Sequence, residues 1–440
     1  MVKVMLVGNG AREHAIAEAL VNSGAELKAF MNKKNPGIAS LANNDIRIDA
    51  LNNFKHAISF GTGVDFAVVG PEAPLCVGIA DALESAGIPC VGPRIEAAQL
   101  EGSKIFTRNL LKKYKVPANI EFSTFKKIDG IPSYIDEIGM ENVVVKPDGL
   151  TGGKGVKVFG EHVHSKEDII EYCKEILSEG GMVVIEEKLD GEEFTLQTFV
   201  DGVNILPTPL VQDHKRAYEN DEGPNTGGMG SYSMEDHLMP FISKNDVEIA
   251  LDNMKQTISA LKKETGTEYK GFLYGQFMKT SKGIKLVEYN ARFGDPEAMN
   301  VLPILTSNFV EICQGILKGN LDTIKADFKK VSTVVKYLAP EGYPTSPKAK
   351  EPIKVDEGKL DELGVKYYFA SVNQNDDGSI VTSTSRTMGI LGIANNLQEA
   401  EQLAEKGTQS ISGKLFHRKD IGTQKLLQKR IEHMNKILGN

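Results

Sequence analysis

The order of the apolar runs changes character once along the chain, near Gly102, and that change limits the fold more than any single motif. Before it, strand-like runs at 2–7, 26–30, 46–48 and 65–69 alternate with helix-like stretches such as 11–22, where Ile16, Ala19 and Leu20 fall at helical spacing. Such alternation builds βαβ units around a parallel sheet, so residues 1–101 are expected to form an α/β domain. After it, 103–114 reads as an amphipathic helix with Ser103 as N-cap. Strand patterns recur at 143–146, 155–159, 182–187, 193–200, 271–279 and 284–290, with long helices near 166–178 and 244–262. Tight turns between partners, as at Thr280-Ser281-Lys282-Gly283, imply antiparallel sheets and an α+β domain over 102–325, with a subdomain at about 120–192. A small α+β domain, 326–440, is expected from strands at 331–338, 366–372, 379–382 and 388–393 and a helix near 397–411. The basic amphipathic stretch 423–437 reads as a packing helix.

Composition narrows the function. The formal charge of −8 argues against a nucleic-acid or anionic-membrane binder, whose affinity would come from clustered Lys and Arg. No apolar run is long enough to span a membrane, and the first seven residues read as a strand, not a secretory signal. Cys76, Cys90, Cys173 and Cys313 are scattered, so the expectation is reduced thiols in a cytoplasmic protein, with neither a disulfide framework nor a zinc site.

Five segments carry chemistry. In Lys146-Pro147-Asp148-Gly149-Leu150-Thr151-Gly152-Gly153-Lys154-Gly155-Val156, four glycines in seven positions expose consecutive backbone N–H groups that suit phosphate oxygens. The tract lacks the Walker pattern and links two strands, so it reads as a flap over a nucleotide, or more plainly as a hairpin turn. Residues 183–194 form an apolar strand that ends in Glu186-Glu187, turns at Asp190-Gly191 and resumes; a carboxylate there can accept hydrogen bonds from ribose hydroxyls. In Glu288-Tyr289-Asn290-Ala291-Arg292, strand period two puts the acid, the amide and the guanidinium on one face. Glu288 and Asn290 are hard oxygen ligands for Mg²⁺ or Mn²⁺, and Arg292 can hold an anion. Gln276 would lie opposite Glu288 if the connecting turn carried a one-residue bulge. Gln212-Asp213-His214-Lys215-Arg216, followed by the Gly-rich 223–230, suggests a substrate loop. Finally, Gly8-Asn9-Gly10-Ala11-Arg12-Glu13-His14 is a strand, glycine turn and helix start that suits a phosphate. Glu13 stands where a dinucleotide fingerprint has its third glycine, which argues against NAD. Gly70-Pro71-Glu72-Ala73-Pro74-Leu75 closes a neighbouring strand at the same end of the sheet. No acid–base role falls to His14.

Taken together and in this order, the lysine, the Gly-rich flap, the strand-end acids and Glu-x-Asn-x-Arg resemble the ATP-grasp ligases. With the 8–14, 70–75, 212–216 and 223–230 segments, Arg292-Phe293-Gly294-Asp295-Pro296-Glu297 and Arg418-Lys419-Asp420-Ile421-Gly422, the chain is similar end to end to the phosphoribosylamine–glycine ligase family. The resemblance implies a pre-ATP-grasp domain, an ATP-grasp domain and a small carboxyl-terminal domain. It implies ligation of glycine to 5-phosphoribosylamine, with ATP consumed and a glycyl phosphate intermediate, in purine biosynthesis. It further implies that Lys104 and Lys146 contact ATP phosphates under a cover that includes Gly149, Gly152, Gly153 and Lys154. Glu186, Glu187 and Leu189 would frame adenine, and Glu193 would meet the ribose. Gln276, Glu288 and Asn290 would hold the metal. Asn9, Gly10, Pro71 and Glu72 would take phosphoribosylamine, while Asp213 and Arg292, the two catalytic candidates, would orient glycine, with Lys215 and Asp295 beside them. Small-molecule substrates alone, and a monomer or weak homodimer, are implied. The chain departs from the family's usual pattern at Pro147 and Thr151-Gly152, and at Thr384-Ser385-Arg386-Thr387, where a Gly-Gly-Arg turn is usual. Alternatives are a different ATP-grasp enzyme, such as a purine-pathway carboxylase or formate-dependent transformylase, a nucleotide-sensing module without turnover, and an NAD-dependent oxidoreductase.

Overall fold

The computed structural model describes residues 1–152 and 155–439. The amino-terminal sheet is wholly parallel. Its strands are β1 (Val2–Val7), β2 (Ala25–Met31), β3 (Ile46–Ile48), β4 (Phe66–Val69) and β5 (Cys90–Val91), in the order β3-β2-β1-β4-β5. The central strands β1 and β4 are buried on both faces, as their unbroken apolar runs require. The order reverses between β1 and β4, so the loops 8–10 and 70–74 meet at the carboxyl end of the sheet, where such folds bind ligands.

Two antiparallel sheets follow. One runs Ile205–Pro207, Gly191–Asp201, Lys270–Thr280, Gly283–Asn290. Its back packs on the amino-terminal domain through Phe199, Phe272, Phe293 and Phe309, with the Phe272 and Phe293 rings stacked at 4.1 Å. The other runs Phe122–Phe125, Val183–Glu187, Val143–Pro147, Lys157–Val158 and is covered by the helices Ile131–Ile138 and Lys166–Ser178. This flap unit closes a hydrophobic core of its own, around Ile135, Val145, Ile169, Cys173 and Ile185. An element with a private core can shift as a body without opening the rest. The strand expected over 155–159 is only Lys157–Val158, because the glycines before it contribute no side chain to pack.

The third sheet crosses the sequence divisions. Gln212–Asp213 and Gly230–Ser233, from the middle of the chain, lie beside Ser332–Pro340, Met388–Ala394 and Lys366–Phe369 from the tail. Asp213 is therefore carried on the edge of a sheet built mainly by the carboxyl-terminal region. The final helix, Gln424–Leu438, buries Leu426, Leu427 and Met434, as a packing helix should. No helix among the described residues is long and apolar enough to cross a membrane.

Candidate active site

The flap unit, the central sheet and the carboxyl-terminal sheet enclose a cavity of about 710 Å³. Its walls bring together Lys104, Lys146, Gly149, Gly152, Glu186, Glu187, Leu189 and Glu193 on one side, and Glu72, Asp213, Lys215, Glu288, Asn290, Arg292 and Asp295 on the other. Sequence positions more than two hundred apart thus converge on one space. Gly153 and Lys154 lie outside the described residues.

On the flap side, Ser103 caps its helix by accepting from Phe106 N–H at 3.0 Å, so that Lys104 starts the first turn. The Lys104 ammonium donates to the Gly149 carbonyl at 2.7 Å. Asp148 accepts from the Ser103 hydroxyl at 3.0 Å and from Ile105 N–H at 3.1 Å, tying the glycine turn to the positive end of that helix. Lys146 is buried against Glu186 at 2.6 Å, and Arg108 meets the same carboxylate at 2.7 Å. Burial would raise the Glu186 carboxyl, but Arg108 and Lys146 prevail and hold it at about 2. Its side chain therefore positions two cations and is not free to frame a base. The N–H groups of Glu187 and Lys188 donate to the carbonyls of Glu121 and Asn142.

On the central sheet, Gln276 pairs with Glu288, and the register slips by one residue between Gln276 and Phe277. The bulge lies within the ladder, not in the turn where it was expected; it re-aims the strand end. Gln276, expected beside the metal, is engaged by protein groups. Its Oε1 accepts from Lys215 Nζ at 2.6 Å and its amide donates to Glu193, so it bridges a cation and an acid. Asn290 Oδ1 accepts from Arg292 at 2.9 Å. Burial would push Glu288 up, but Lys215, Lys146, Lys104 and Arg292 hold it low and ionised.

Opposite them, burial and the neighbouring Glu297 push the Asp213 carboxyl up to about 8, against the pull of Lys215; Glu193 and Glu288 add to the rise. Asp213, Glu297, Glu193 and Glu288 crowd the space around Lys215, so the site favours added positive charge. No three His, Cys, Asp or Glu side chains form a ready metal cluster among the described residues. The donors Glu288 and Asn290, all oxygen and beside that acidic excess, fit a hard divalent cation shared with a phosphorylated ligand.

Arg292 links regions. It meets Glu72 at 3.3 Å and the buried Glu101 at 2.9 Å. Burial would lift Glu72, yet Arg292 and Arg12 hold it at about 2. Glu101, which the sequence reading did not single out, is raised to about 7 by burial despite Arg292. Asp295 differs from its expected substrate role: it accepts from Tyr337 at 2.5 Å and pairs with Arg386 at 3.3 Å. Arg386 also donates to the carbonyls of Gly227, Gly228 and Asp295 at 2.8–2.9 Å, so it clamps the glycine loop and its side chain is spent on the protein.

A second cavity, of about 820 Å³, lies across the 71–74 loop and holds Asn9, Gly10 and Pro71 among its walls. Here the phosphate expectation at the helix start needs correction. Gly10 N–H donates to Glu13 at 2.6 Å, and Glu13 pairs with Arg12 at 2.6 Å. Side chains at Gly8 and Gly70 would come within 2.6 and 2.3 Å of Glu13, so both glycines make room for this internal carboxylate. His14 is buried and accepts from Phe369 N–H at 3.0 Å, joining the first helix, Ala11–Asn22, to the carboxyl-terminal sheet. Arg108, Glu101 and Arg12 escaped the sequence reading. Arg108 had one signal, its position four residues after Lys104 on the same helix face.

Three family models cover most of the chain: the phosphoribosylglycinamide synthetase N domain over 2–101, its ATP-grasp (A) domain over 102–298 and its C domain over 333–424. The phosphoribosylamine–glycine ligase of Methanothermobacter thermautotrophicus is 49% identical over 99% of both chains, and that of Thermococcus gammatolerans 48% identical over 99% of this chain and 98% of its own. The crystal structure of the Thermotoga maritima phosphoribosylamine–glycine ligase aligns with a TM-score of 0.80 at 28% identity, covering 95% of this chain and all of the other. A biotin carboxylase domain of 2-oxoglutarate carboxylase from Hydrogenobacter thermophilus, solved with MgADP and bicarbonate, shares the fold at a TM-score of 0.70 and 16% identity, over 94% of this chain and 91% of its own. On the breadth of these matches and the site they surround, the chain belongs to the phosphoribosylglycinamide synthetase family of ATP-grasp ligases.

Proposed function

We propose that the chain ligates glycine to 5-phosphoribosylamine, giving glycinamide ribonucleotide, ADP and phosphate by way of glycyl phosphate. The observation that carries this reading is one cavity in which a lysine-lined glycine turn faces an acidic wall that carries Arg292. Glycine carboxylate is a poor acyl donor. Attack of its oxygen on the γ-phosphorus of ATP expels ADP and makes an acyl phosphate. The amine of phosphoribosylamine then attacks the carbonyl carbon; the C–N bond forms, the C–O bond to phosphate breaks, and the amine proton leaves with solvent or phosphate. No enzyme nucleophile is needed, so positioning and charge complementarity do the catalysis.

Lys104 and Lys146 neutralise the phosphates, with Glu186 holding Lys146 in place. Glu186 serves through its side chain, and with the N–H groups of Glu187 and Lys188 spent on the protein, Leu189 N–H is the group that meets adenine. Glu193 accepts from the ribose. Asp213 pairs with the glycine ammonium, whose charge brings its proton off, and Lys215 sits beside it. Arg292 orients the carboxylate and then the acyl phosphate. Glu288 and Asn290 would hold Mg²⁺ or Mn²⁺, which supplies charge neutralisation between the phosphates. Asn9, Gly10 and Pro71 shape the space for phosphoribosylamine, and Glu72 faces the reacting centre from the same loop. We take the domain limits to be 101/102 and 325/326. The reading places a monomer or weak homodimer in the cytoplasm, where its four free cysteines stay reduced.

The test is phosphate release from ATP with Mg²⁺, glycine and freshly generated phosphoribosylamine, each omitted in turn. Release that needs all of them, with glycinamide ribonucleotide in equal amount, is expected. Release with bicarbonate or formate in place of glycine would move the substrate. ATP binding with no release under any combination would leave a nucleotide sensor.

A further inference from the structure

The final helix, Gln424–Leu438, begins where the family's C-domain model ends at residue 424, and it reaches the nucleotide side of the cavity. Arg430 donates to Glu192 at 2.8 Å and to Asp221 at 3.3 Å, and it lines the cavity wall. One turn on, His433 meets the other Glu192 oxygen at 2.7 Å. Glu192 is buried and directly precedes Glu193 in the Asp190-Gly191-Glu192-Glu193 hairpin. The Glu193 carbonyl accepts from the Gln212 amide at 3.0 Å, and Gln212 in turn accepts from the Tyr232 hydroxyl.

We infer that Arg430, with His433 in support, is a positioning residue that sets the Glu193 carboxylate for the ribose of the bound nucleotide by fixing its neighbour Glu192. Three observations make the role more than packing. Arg430 and Glu192 are both largely shut from solvent, so the pair is a rigid strut and not a screened surface bridge. Arg430 Nε is buried with no partner among the described residues, which costs stability that an apolar side chain would not. The contact also lands on strand-pairing backbone: Glu192 and Glu193 pair with Lys279 and Met278, so a change at Glu192 is transmitted to the next residue on the opposite face. This inference rests on the proposed nucleotide reading, in which Glu193 meets the ribose.

The experiment compares ATP with its 2′-deoxy and 3′-deoxy analogues in wild type, Arg430→Met, His433→Gln and Glu193→Gln. Arg430→Met is expected to raise KM for ATP about tenfold, the size of one charged hydrogen bond, with kcat and KM for glycine within about twofold of wild type. Its preference for ATP over the deoxy analogue should shrink by the same factor, and Arg430→Lys should restore part of it. A purely structural role would lower active protein and Tm while leaving KM and the analogue ratio unchanged, and that result overturns the inference. If Arg430→Met does not fold, the half-exposed His433→Gln decides by the same ratio, with a smaller shift expected. Glu193→Gln separates the two readings: if it leaves the ratio untouched, the ribose assignment fails; if it abolishes the ratio while Arg430→Met and His433→Gln keep it, only the positioning role fails.

Discussion

The two cavities on either side of the 71–74 loop differ in how far the protein satisfies its own polar groups. At the parallel-sheet end, Gly10 N–H is held by Glu13, Glu13 by Arg12, and the Asn9 carbonyl by Asn35 at 2.9 Å. In the central cavity, Asp213 has no side-chain hydrogen bond among the described residues and faces Glu297, Glu193 and Glu288. The first region is neutralised in advance and can recognise a ligand chiefly by shape and by replacing internal contacts. The second keeps an imbalance that only a charged ligand completes. Electrostatic catalysis needs the second arrangement, because dipoles and charges already satisfied by the protein have nothing left to give a transition state.

The contrast can be broken most sharply at its charged end. Glu288→Gln keeps shape and removes one charge; turnover should fall about a thousandfold while the thermal midpoint barely moves. Near-normal turnover at ordinary Mg²⁺ would take Glu288 out of the site. At the neutralised end, Glu13→Ala leaves Arg12 buried beside a weaker partner, Glu72 at 3.6 Å, and should lower unfolding free energy by about 3 kcal/mol in denaturant titrations. A loss below about 1 kcal/mol would mean the loop is not held by its own acid.

Acid should separate the regions by pH. Burial holds His14 at about 4, with Glu18 opposing and Lys366 adding. Its folded value is depressed, so the unfolded chain takes up the proton first. The associated stability is complete above about 6.5 and is lost as pH falls toward 4. Glu72 and Glu186, both near 2, follow the carboxylate case: their stability is complete above about 4.5 and is lost as pH falls toward 2. Glu101 and Asp213, raised to about 7 and about 8, gain stability as pH falls over the same range. The His14 contribution should therefore appear as the difference in unfolding free energy between wild type and His14→Gln between about pH 6.5 and 4, and the Glu72 and Glu186 loss as a drop below about 4.5 in both proteins. The smallest effect concerns the flap. Gly152 has φ +58° and nothing among the described residues within 4 Å of an added Cβ, so Gly152→Ala should cost about 1 kcal/mol locally and leave global stability unchanged. Hydrogen exchange should show 149–152 protected by ATP in both proteins; no protection in either would remove the flap from nucleotide binding.

Much of the fold was legible because period and punctuation are local. The helices 11–22 and 166–178 and the strands 2–7 and 46–48 follow from spacing and caps within a few residues, and Ser103 caps its helix as expected. The pairing of Gln276 with Glu288 needed a bulge, whose existence could be stated only as a condition and whose place in the ladder is set by packing. The site was legible as a list of groups but not as a set of partners. The family resemblance implied ligand contacts for Glu186, Gln276 and Asp295; their side chains are engaged by Arg108 and Lys146, by Lys215 and Glu193, and by Arg386 and Tyr337.

By itself, the sequence determined the parallel and antiparallel halves, the glycine turn next to Lys146 and the Glu288-Asn290-Arg292 face, because each is a periodicity or a composition within one segment. Tertiary structure alone decided which charges neutralise one another. Arg430 lies 238 residues from Glu192, and Arg292 lies 220 from Glu72. A carboxylate's availability depends on burial and on the nearest cation, both properties of the folded neighbourhood that no local pattern records.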